Sequence, residues 1–284
     1  MNTREWLDKG VTYLTARGVP EARANAEFIM AEALRTGRTE LALHSSRVPT
    51  DKQQRTFWGL VEQRGARIPL AYLLGTQPFM GLEIKVRPDA LIPRPETEEL
   101  VAEAVSLLKP REREPLNIVE LGTGTGCIAV ALAASLPQST VYATDISQAA
   151  LKLAMENALS HHVERRIRFI NEDLFTEDQR FRGWADLVIS NPPYIPSGEL
   201  KKLEPEVLKE PRLALDGGKD GLDALRAIIA AAPRYLKAGG WLALEIGHDQ
   251  AKAVLALLEK AGFNARYVRK DAQGKDRIAV AKRD

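Results

Sequence analysis

Asn191-Pro192-Pro193-Tyr194 follows the apolar run Ala185-Asp186-Leu187-Val188-Ile189-Ser190. A turn explains Asn-Pro, but it explains less well two consecutive prolines and an aromatic at the carboxyl end of a strand. This tetrapeptide suits chemistry at a planar NH₂ group. An amide or aromatic-amine nitrogen is a poor nucleophile because its lone pair is delocalised. It is also too weak an acid for a histidine to deprotonate. The Asn191 side-chain oxygen and the Pro192 carbonyl are two acceptors in a rigid frame. Holding both N–H hydrogens to one side aims the lone pair at an electrophilic methyl group, and Tyr194 can stack on the planar group. Such catalysis is positioning plus electrostatics.

A second constellation lies upstream. Glu120-Leu121-Gly122-Thr123-Gly124-Thr125-Gly126-Cys127 ends a predicted strand and opens a predicted helix. Glycines there let the backbone turn tightly and approach a ligand closely. The spacing is Gly-x-Gly-x-Gly, not the Gly-x-Gly-x-x-Gly of a dinucleotide site, because position 127 is cysteine. Without a following Lys-Ser/Thr it is not a triphosphate loop either. Asp145 ends the next predicted strand, 19 residues after Gly126. A carboxylate there can accept hydrogen bonds from both ribose hydroxyls of an adenosine, or it can cap the helix that follows. Glycine loop and strand-end acid suit S-adenosylmethionine as well as NAD. Glu120 favours the former: a carboxylate just before the loop repels pyrophosphate and attracts a cationic amino-acid group.

These residues need a sheet to hold them. Short apolar strands are expected at 116–121, 140–144, 166–170, 185–190, 240–246, 264–269 and 277–282. Helices are expected at 126–136, 147–159, 220–236 and 249–261. The alternation predicts an α/β fold with a mostly parallel, doubly covered sheet. The last two strands are joined by a turn at Gly274, so that pair is antiparallel. Residues 1–75 read as a separate helical domain. Thr3 caps a helix running to Arg17. Pro20 starts one that ends near Gly37, with Ala24, Phe28, Ala31 and Leu34 or Arg35 on its apolar face, and Thr50 caps a third. A hairpin linker over 76–96 joins this domain to a catalytic domain over 97–284, and Pro95 or Thr97 opens the first helix after it.

Composition narrows the function classes. The 284 residues carry 40 Lys+Arg against 38 Asp+Glu, a net charge of +2. That argues against coating nucleic acid by bulk electrostatics. The helical domain has eleven Lys/Arg against eight Asp/Glu up to residue 78, an ordinary solvated surface. The single cysteine, Cys127, excludes an internal disulfide framework and a thiolate zinc cluster. His161 and His162 are adjacent and diverge on a helix, so no metal and no catalytic histidine are expected. No apolar run reaches a membrane span, and the first residues lack the order of a signal peptide. A cytoplasmic protein is expected, and nothing requires more than a monomer.

Glu120–Gly126, Asp145 and Asn191–Tyr194 resemble class I methyltransferases that act on planar NH₂ groups, a Rossmann-like fold with a seven-stranded sheet. Three more segments narrow the resemblance: Pro69–Gly75 (PLAYLLG), Leu91–Glu98 (LIPRPETE) and Pro211–Gly218 (PRLALDGG). With the helical N-terminal domain they resemble the PrmC/HemK family over almost the whole chain. The resemblance implies a protein-(glutamine-N5) methyltransferase. Its substrate would be the glutamine of the Gly-Gly-Gln motif of class 1 peptide-chain release factors, tuning translation termination. It implies that Gly122, Thr123, Gly124, Thr125, Gly126 and Asp145 contact S-adenosyl-L-methionine. Asn191 would touch cofactor and substrate, and Pro192, Pro193 and Tyr194 would line the substrate pocket. Some relatives carry tryptophan beside the adenine where this chain has Leu174. Leu174 keeps an apolar surface without the stacking, and Asp173 is the candidate partner of the adenine amino group. Arg94, Pro95, Glu96 and Thr97 belong to the family signature and are expected either near the mouth of the site or in a purely structural role.

Two other function classes compete. A nucleic-acid adenine-N6 methyltransferase shares the tetrapeptide, but a stronger basic surface or a target-recognition domain is expected of it. A non-enzymatic, ribosome-associated binding protein on a degenerate methyltransferase fold conflicts with the intact motifs.

Overall fold

Asn2 begins the first helix, α1 (Thr3–Ala16), with a reciprocal capping box. Its side chain accepts from the Glu5 N–H at 3.0 Å, and Glu5 accepts from the Asn2 N–H at 2.8 Å. The expected cap, Thr3, is buried one residue inside the helix, where its hydroxyl donates to the Arg47 carbonyl. The next helix, α2 (Ala22–Leu34), stops short of Gly37 because Arg35 takes a left-handed conformation that closes the last turn. Its buried face is Ala26, Ile29, Met30 and Ala33, together with Ala31 and Leu34 of the expected face, whose Phe28 stays out. Both stripes have helical spacing. The one chosen buries Ile29 and Met30 together, while Phe28 stays 38% exposed beneath the Arg38 guanidinium. Thr50 caps α3 (Asp51–Gly65) as its spacing predicts. A short helix, α4 (Leu70–Leu74), follows and ends at Gly75.

The computed structural model describes residues 1–175 and 181–284. Contacts divide it into two units: Met1–Thr76 with Glu204–Lys209, and Gln77–Leu203 with Glu210–Asp284. The first unit is built around Leu14, Ile29, Met30, Phe57 and Val61. The returning segment is tied into it by Glu206, which pairs with Arg64 at 2.8 Å and Arg67 at 2.6 Å. Burial works against this carboxylate, but the two guanidinium partners hold its pKa down to about 2.

A hairpin of β1 (Thr76–Phe79) and β2 (Leu82–Lys85), turning through Met80 and Gly81, starts at the last residue of the Met1–Thr76 stretch and carries the chain into the second unit. Helix α5 (Pro95–Leu108) starts on Pro95. Strands β3 (Leu116–Leu121), β4 (Ser139–Asp145), β5 (Ile167–Asn171), β6 (Ala185–Ser190), β7 (Leu236–Glu245), β8 (Ala265–Lys270) and β9 (Asp276–Lys282) make one sheet. Its order is β5-β4-β3-β6-β7-β9-β8, parallel except for β9, which runs antiparallel to both neighbours. Helices α6 (Cys127–Ser135), α7 (Gln148–Ser160), α8 (Asp223–Tyr235) and α9 (Ala251–Lys260) cover it. All six residues of β6 are buried, and α6 is apolar around almost its whole circumference, as a layer covered on both sides requires. β7 begins four residues before its expected start at 240. Among the described residues no helix is long and apolar enough to cross a membrane.

The strand order reverses about β3, since β4 and β5 lie on one side and β6 and β7 on the other. The carboxyl ends of strands flanking such a switch point form a crevice. The register makes those ends level: Leu121 pairs with Thr144 and with Ser190, and Ser190 pairs with Leu244. The next residue in each strand or loop is therefore Gly122, Asp145, Asn191 or Glu245, and all four emerge along one edge.

Candidate active site

A cavity of about 390 Å³ opens over that edge. Gly122, Thr123, Gly124 and Thr125 line it, while Gly126 does not. The loop is pinned by Thr123 N–H to the Thr144 carbonyl at 2.9 Å and Gly126 N–H to the Thr123 carbonyl at 2.8 Å. Its glycines serve different ends. A Cβ on Gly122 would meet nothing within 4 Å, leaving backbone open to a ligand. A Cβ on Gly126 would lie 2.8 Å from the Ala154 Cβ, so this glycine permits α6 to pack on α7.

Asp145 lines the cavity from the end of β4. Its Oδ2 accepts from the Gly124 N–H and its Oδ1 from the Ser147 N–H, both at 2.8 Å. Burial raises its pKa, against the pull of those two amides. It does not cap α7; the Ser147 hydroxyl does. Each carboxylate oxygen keeps a lone pair for a further donor such as a ribose hydroxyl. Asp173 and Leu174 also line the cavity, with Ile146 and Ala150 adding apolar surface. Leu174 is held by its carbonyl, which accepts from the Thr144 hydroxyl at 2.6 Å.

Glu120 is buried beneath the loop, outside the cavity lining. One oxygen accepts from the Thr123 hydroxyl at 2.8 Å, and Oε1 has no partner. Burial, with some help from the Asp145 charge, lifts its pKa to about 8. The Cys127 thiol lines the cavity, but burial pushes its pKa up to about 12. It stays a protonated thiol and not a nucleophile.

Asn191 and Pro193 line the same cavity as Asp145. Pro192 is buried outside the lining, as is most of Tyr194. The Asn191 Nδ2 donates to the Thr97 Oγ1 at 3.0 Å, and Thr97 donates to the Glu245 Oε2 at 2.7 Å. The Tyr194 hydroxyl donates to the Glu245 Oε1 at 3.1 Å. Burial first, then the neighbouring Glu245 carboxylate, raises the Tyr194 pKa far above neutrality, so it remains a phenol. The segment after the tetrapeptide is clamped by Leu215–Gly218: Ile195 bridges Asp216, and the Gly217 N–H donates to the Ile195 carbonyl. Gln250 completes the clamp, donating to the carbonyls of Tyr194 and Gly221.

This cavity joins a glycine loop, a strand-end acid and an asparagine within one sheet edge, and the comparisons with known proteins agree. Residues 5–75 match the PrmC N-terminal domain family and residues 104–218 the methyltransferase small domain family. The chain is 42% identical over 278 residues to the release factor glutamine methyltransferase of Geobacter sulfurreducens, covering 97% of this chain and 94% of that protein. It is 40% identical over 284 residues to that of Moorella thermoacetica, covering 100% and 99%. The chain belongs to the release factor glutamine methyltransferase family. A methyltransferase from Pyrococcus furiosus, at 20% identity, shares the fold with a TM-score of 0.53 over 78% of this chain and 98% of that one.

In this member of the release factor glutamine methyltransferase family, Arg94 and Thr97, expected near the mouth of the site, are joined there by residues that sequence reasoning missed. Arg94 and Thr97 line the cavity, and Arg94 pairs with Glu210, whose other oxygen accepts from the Ile92 N–H at 2.9 Å. Glu210 is 116 residues from Arg94, and no local pattern announces it. Asp223, Ala224 and Ala227 reach the cavity from α8. Glu245 did carry a signal. Like Glu120 and Asp145, it is an acid at the carboxyl end of an apolar strand.

Proposed function

We propose that this chain transfers a methyl group from S-adenosylmethionine to the side-chain N5 of the glutamine in the Gly-Gly-Gln motif of class 1 release factors. The observation that carries the proposal is that Asn191 lines one cavity with Asp145 and the glycine loop, its Nδ2 already engaged by Thr97. Its Oδ1 is thereby left to accept a hydrogen from a substrate NH₂ group.

The donor set fits the cofactor. The open backbone at Gly122, the Asp145 carboxylate and the apolar Ile146 and Leu174 suit an adenosine. Glu120 acts from beneath the loop, outside the cavity lining, by accepting from the Thr123 hydroxyl. When bound, S-adenosylmethionine supplies an electrophilic methyl on a sulfonium. The chain's residues do the rest. Asp145 holds the ribose hydroxyls. Asn191 Oδ1 accepts an amide hydrogen and helps aim the nitrogen lone pair, while Pro192, buried behind the lining, stiffens the segment that carries it. Gln250, Glu245 and the Leu215–Gly218 segment keep the tetrapeptide from yielding. Preorganised acceptors of this kind need no reorganisation when charge develops.

The helical unit supplies recognition of the protein substrate, since one glutamine side chain offers little for discrimination. We place the activity in the cytoplasm, with a monomer sufficient. A methyl-transfer assay with labelled S-adenosylmethionine, offering release factor, DNA and RNA side by side, tests the proposal. Label should enter the release factor and be lost when its Gly-Gly-Gln glutamine is replaced. Label entering nucleic acid instead would favour the adenine-N6 alternative.

A further inference from the structure

We propose that Thr97 and Glu245 form a positioning relay that fixes which end of the Asn191 amide faces the reacting group. The proposal rests on the methyl-transfer function above and assigns to it Thr97, from the Leu91–Glu98 segment, and Glu245, which lies in none of the motifs.

An asparagine side chain has nearly the same shape with its oxygen and nitrogen exchanged, so a cavity does not set its orientation by packing. Orientation comes from what its inner end must bond. The inner partner is the Thr97 hydroxyl, 3.0 Å from Asn191 Nδ2. A hydroxyl alone decides nothing, because it can donate or accept. Its single hydrogen is committed elsewhere, to Glu245 Oε2 at 2.7 Å. The lone pairs of Thr97 Oγ1 then face Asn191, and only the NH₂ end satisfies them. The Asn191 oxygen is turned toward the cavity.

Two features keep the relay polarised. Thr97 is 2% exposed and Glu245 1%, so water does not compete for either group. The other Glu245 oxygen is occupied by the Tyr194 hydroxyl. Burial raises the Glu245 pKa, against the pull of the Thr97 and Tyr194 hydrogen bonds and the Arg277 charge. One carboxylate thus anchors both ends of the Asn-Pro-Pro-Tyr segment, the first through a threonine and the last directly. Thr97 and Glu245 act through Asn191 and are positioning residues.

The test compares Thr97→Val, Thr97→Ser, Asn191→Ala and the double variant Asn191→Ala/Thr97→Val in the full chain. Readouts are single-turnover methylation of release factor, KM for release factor, cofactor Kd by calorimetry, and Tm. Thr97→Val keeps the shape and removes the hydroxyl. Its turnover should fall by about tenfold or more, with KM and cofactor Kd nearly unchanged. Thr97→Ser should recover most of that loss. Asn191→Ala should lose on the order of 10²–10³ in rate, and adding Thr97→Val should cost it little more. Unchanged turnover in Thr97→Val, or an equal further loss in the Asn191→Ala background, would overturn the relay. So would a loss that Thr97→Ser does not restore. These outcomes are separable from failure of the functional proposal, in which the wild-type chain itself would leave release factor unmethylated.

Discussion

The Oδ2 of Asp145 accepts a hydrogen bond from the backbone N–H of Gly124 at 2.8 Å, so the strand-end acid and the middle of the glycine loop form one unit. The loop is shaped by the residue that is expected to hold the ribose. A substitution at Asp145 therefore acts twice, on the ligand and on the backbone that approaches it.

Asp145→Ala should weaken S-adenosylmethionine binding by about tenfold or more, since a charge-assisted hydrogen bond contributes about 1.5–3 kcal/mol. Asp145→Asn, which keeps one acceptor for a backbone amide, should lose less. Calorimetric titration measures both. Unchanged affinity in a folded Asp145→Ala chain would remove this residue from the site.

Gly217→Ala should damage turnover more than cofactor binding. A Cβ there would lie 2.8 Å from the Pro193 carbonyl oxygen, the Tyr194 Cα and the Gly221 carbonyl oxygen, all backbone. Something must shift, and the tetrapeptide is what lies in the way. A displacement of ~1 Å at a positioned group can cost up to about 10²-fold, so a kcat loss of about tenfold or more is expected. Steady-state kinetics with release factor, beside a cofactor Kd, decide it. A normal kcat would mean the Leu215–Gly218 segment gives way instead.

Glu120→Gln should flatten one limb of the stability profile. The folded-state pKa of Glu120 is raised from 4.5 to about 8, so the folded chain holds this proton where the unfolded chain has lost it. Its contribution is full below about 4.5 and is lost as pH rises through about 8. Glutamine keeps the acceptor for Thr123 and does not titrate. Thermal unfolding across that window should show the variant gaining on the wild type as pH rises. A constant difference in Tm would contradict the raised pKa.

Glu206→Gln should act in the opposite window and on the helical unit. The Glu206 pKa is lowered from 4.5 to about 2, so its contribution is present above about 4.5 and disappears as pH falls toward about 2. The variant should be less stable near neutrality, because the Arg64 side chain is buried and loses its anionic partner. Hydrogen exchange of α2 and α3 at several acid pH values reads this locally. Wild-type protection in those helices should fall between about pH 4.5 and 2, and the difference from the variant should vanish there. A difference that persists at the acid end would show that the ion pair is not its source.

The sequence by itself determined the features whose causes are local. The centre of β6, Leu187-Val188-Ile189, reads as an apolar run because a strand covered on both faces has no solvated side. The Gly122–Gly126 loop and Asp145 are legible because tight turns and strand ends leave their marks within a few residues. Pro95 at the start of α5 and Thr50 before α3 are caps of the same kind. Family motifs extended this to the site as a set.

Tertiary structure alone decided what depends on which segments meet. The spacing in α2 allowed two apolar faces, and packing against α1 and α3 selected the one through Ile29 and Met30. Asn2 caps α1 because Arg47 claims the Thr3 hydroxyl from 44 residues away. The Glu204–Lys209 segment, with Glu206 in it, joins the helical unit although the chain on both sides of it lies in the other. The Asn191–Thr97–Glu245 chain spans separations of 94 and 148 residues. No short-range preference encodes such a meeting. It follows from the strand order that sets β7 beside β6 and from the register that levels Leu244 with Ser190, so that Glu245 and Asn191 emerge together. Local propensity carries information over a turn or two of chain, whereas hydrogen bonds between buried polar groups are chosen only once the sheet has closed and water has been excluded.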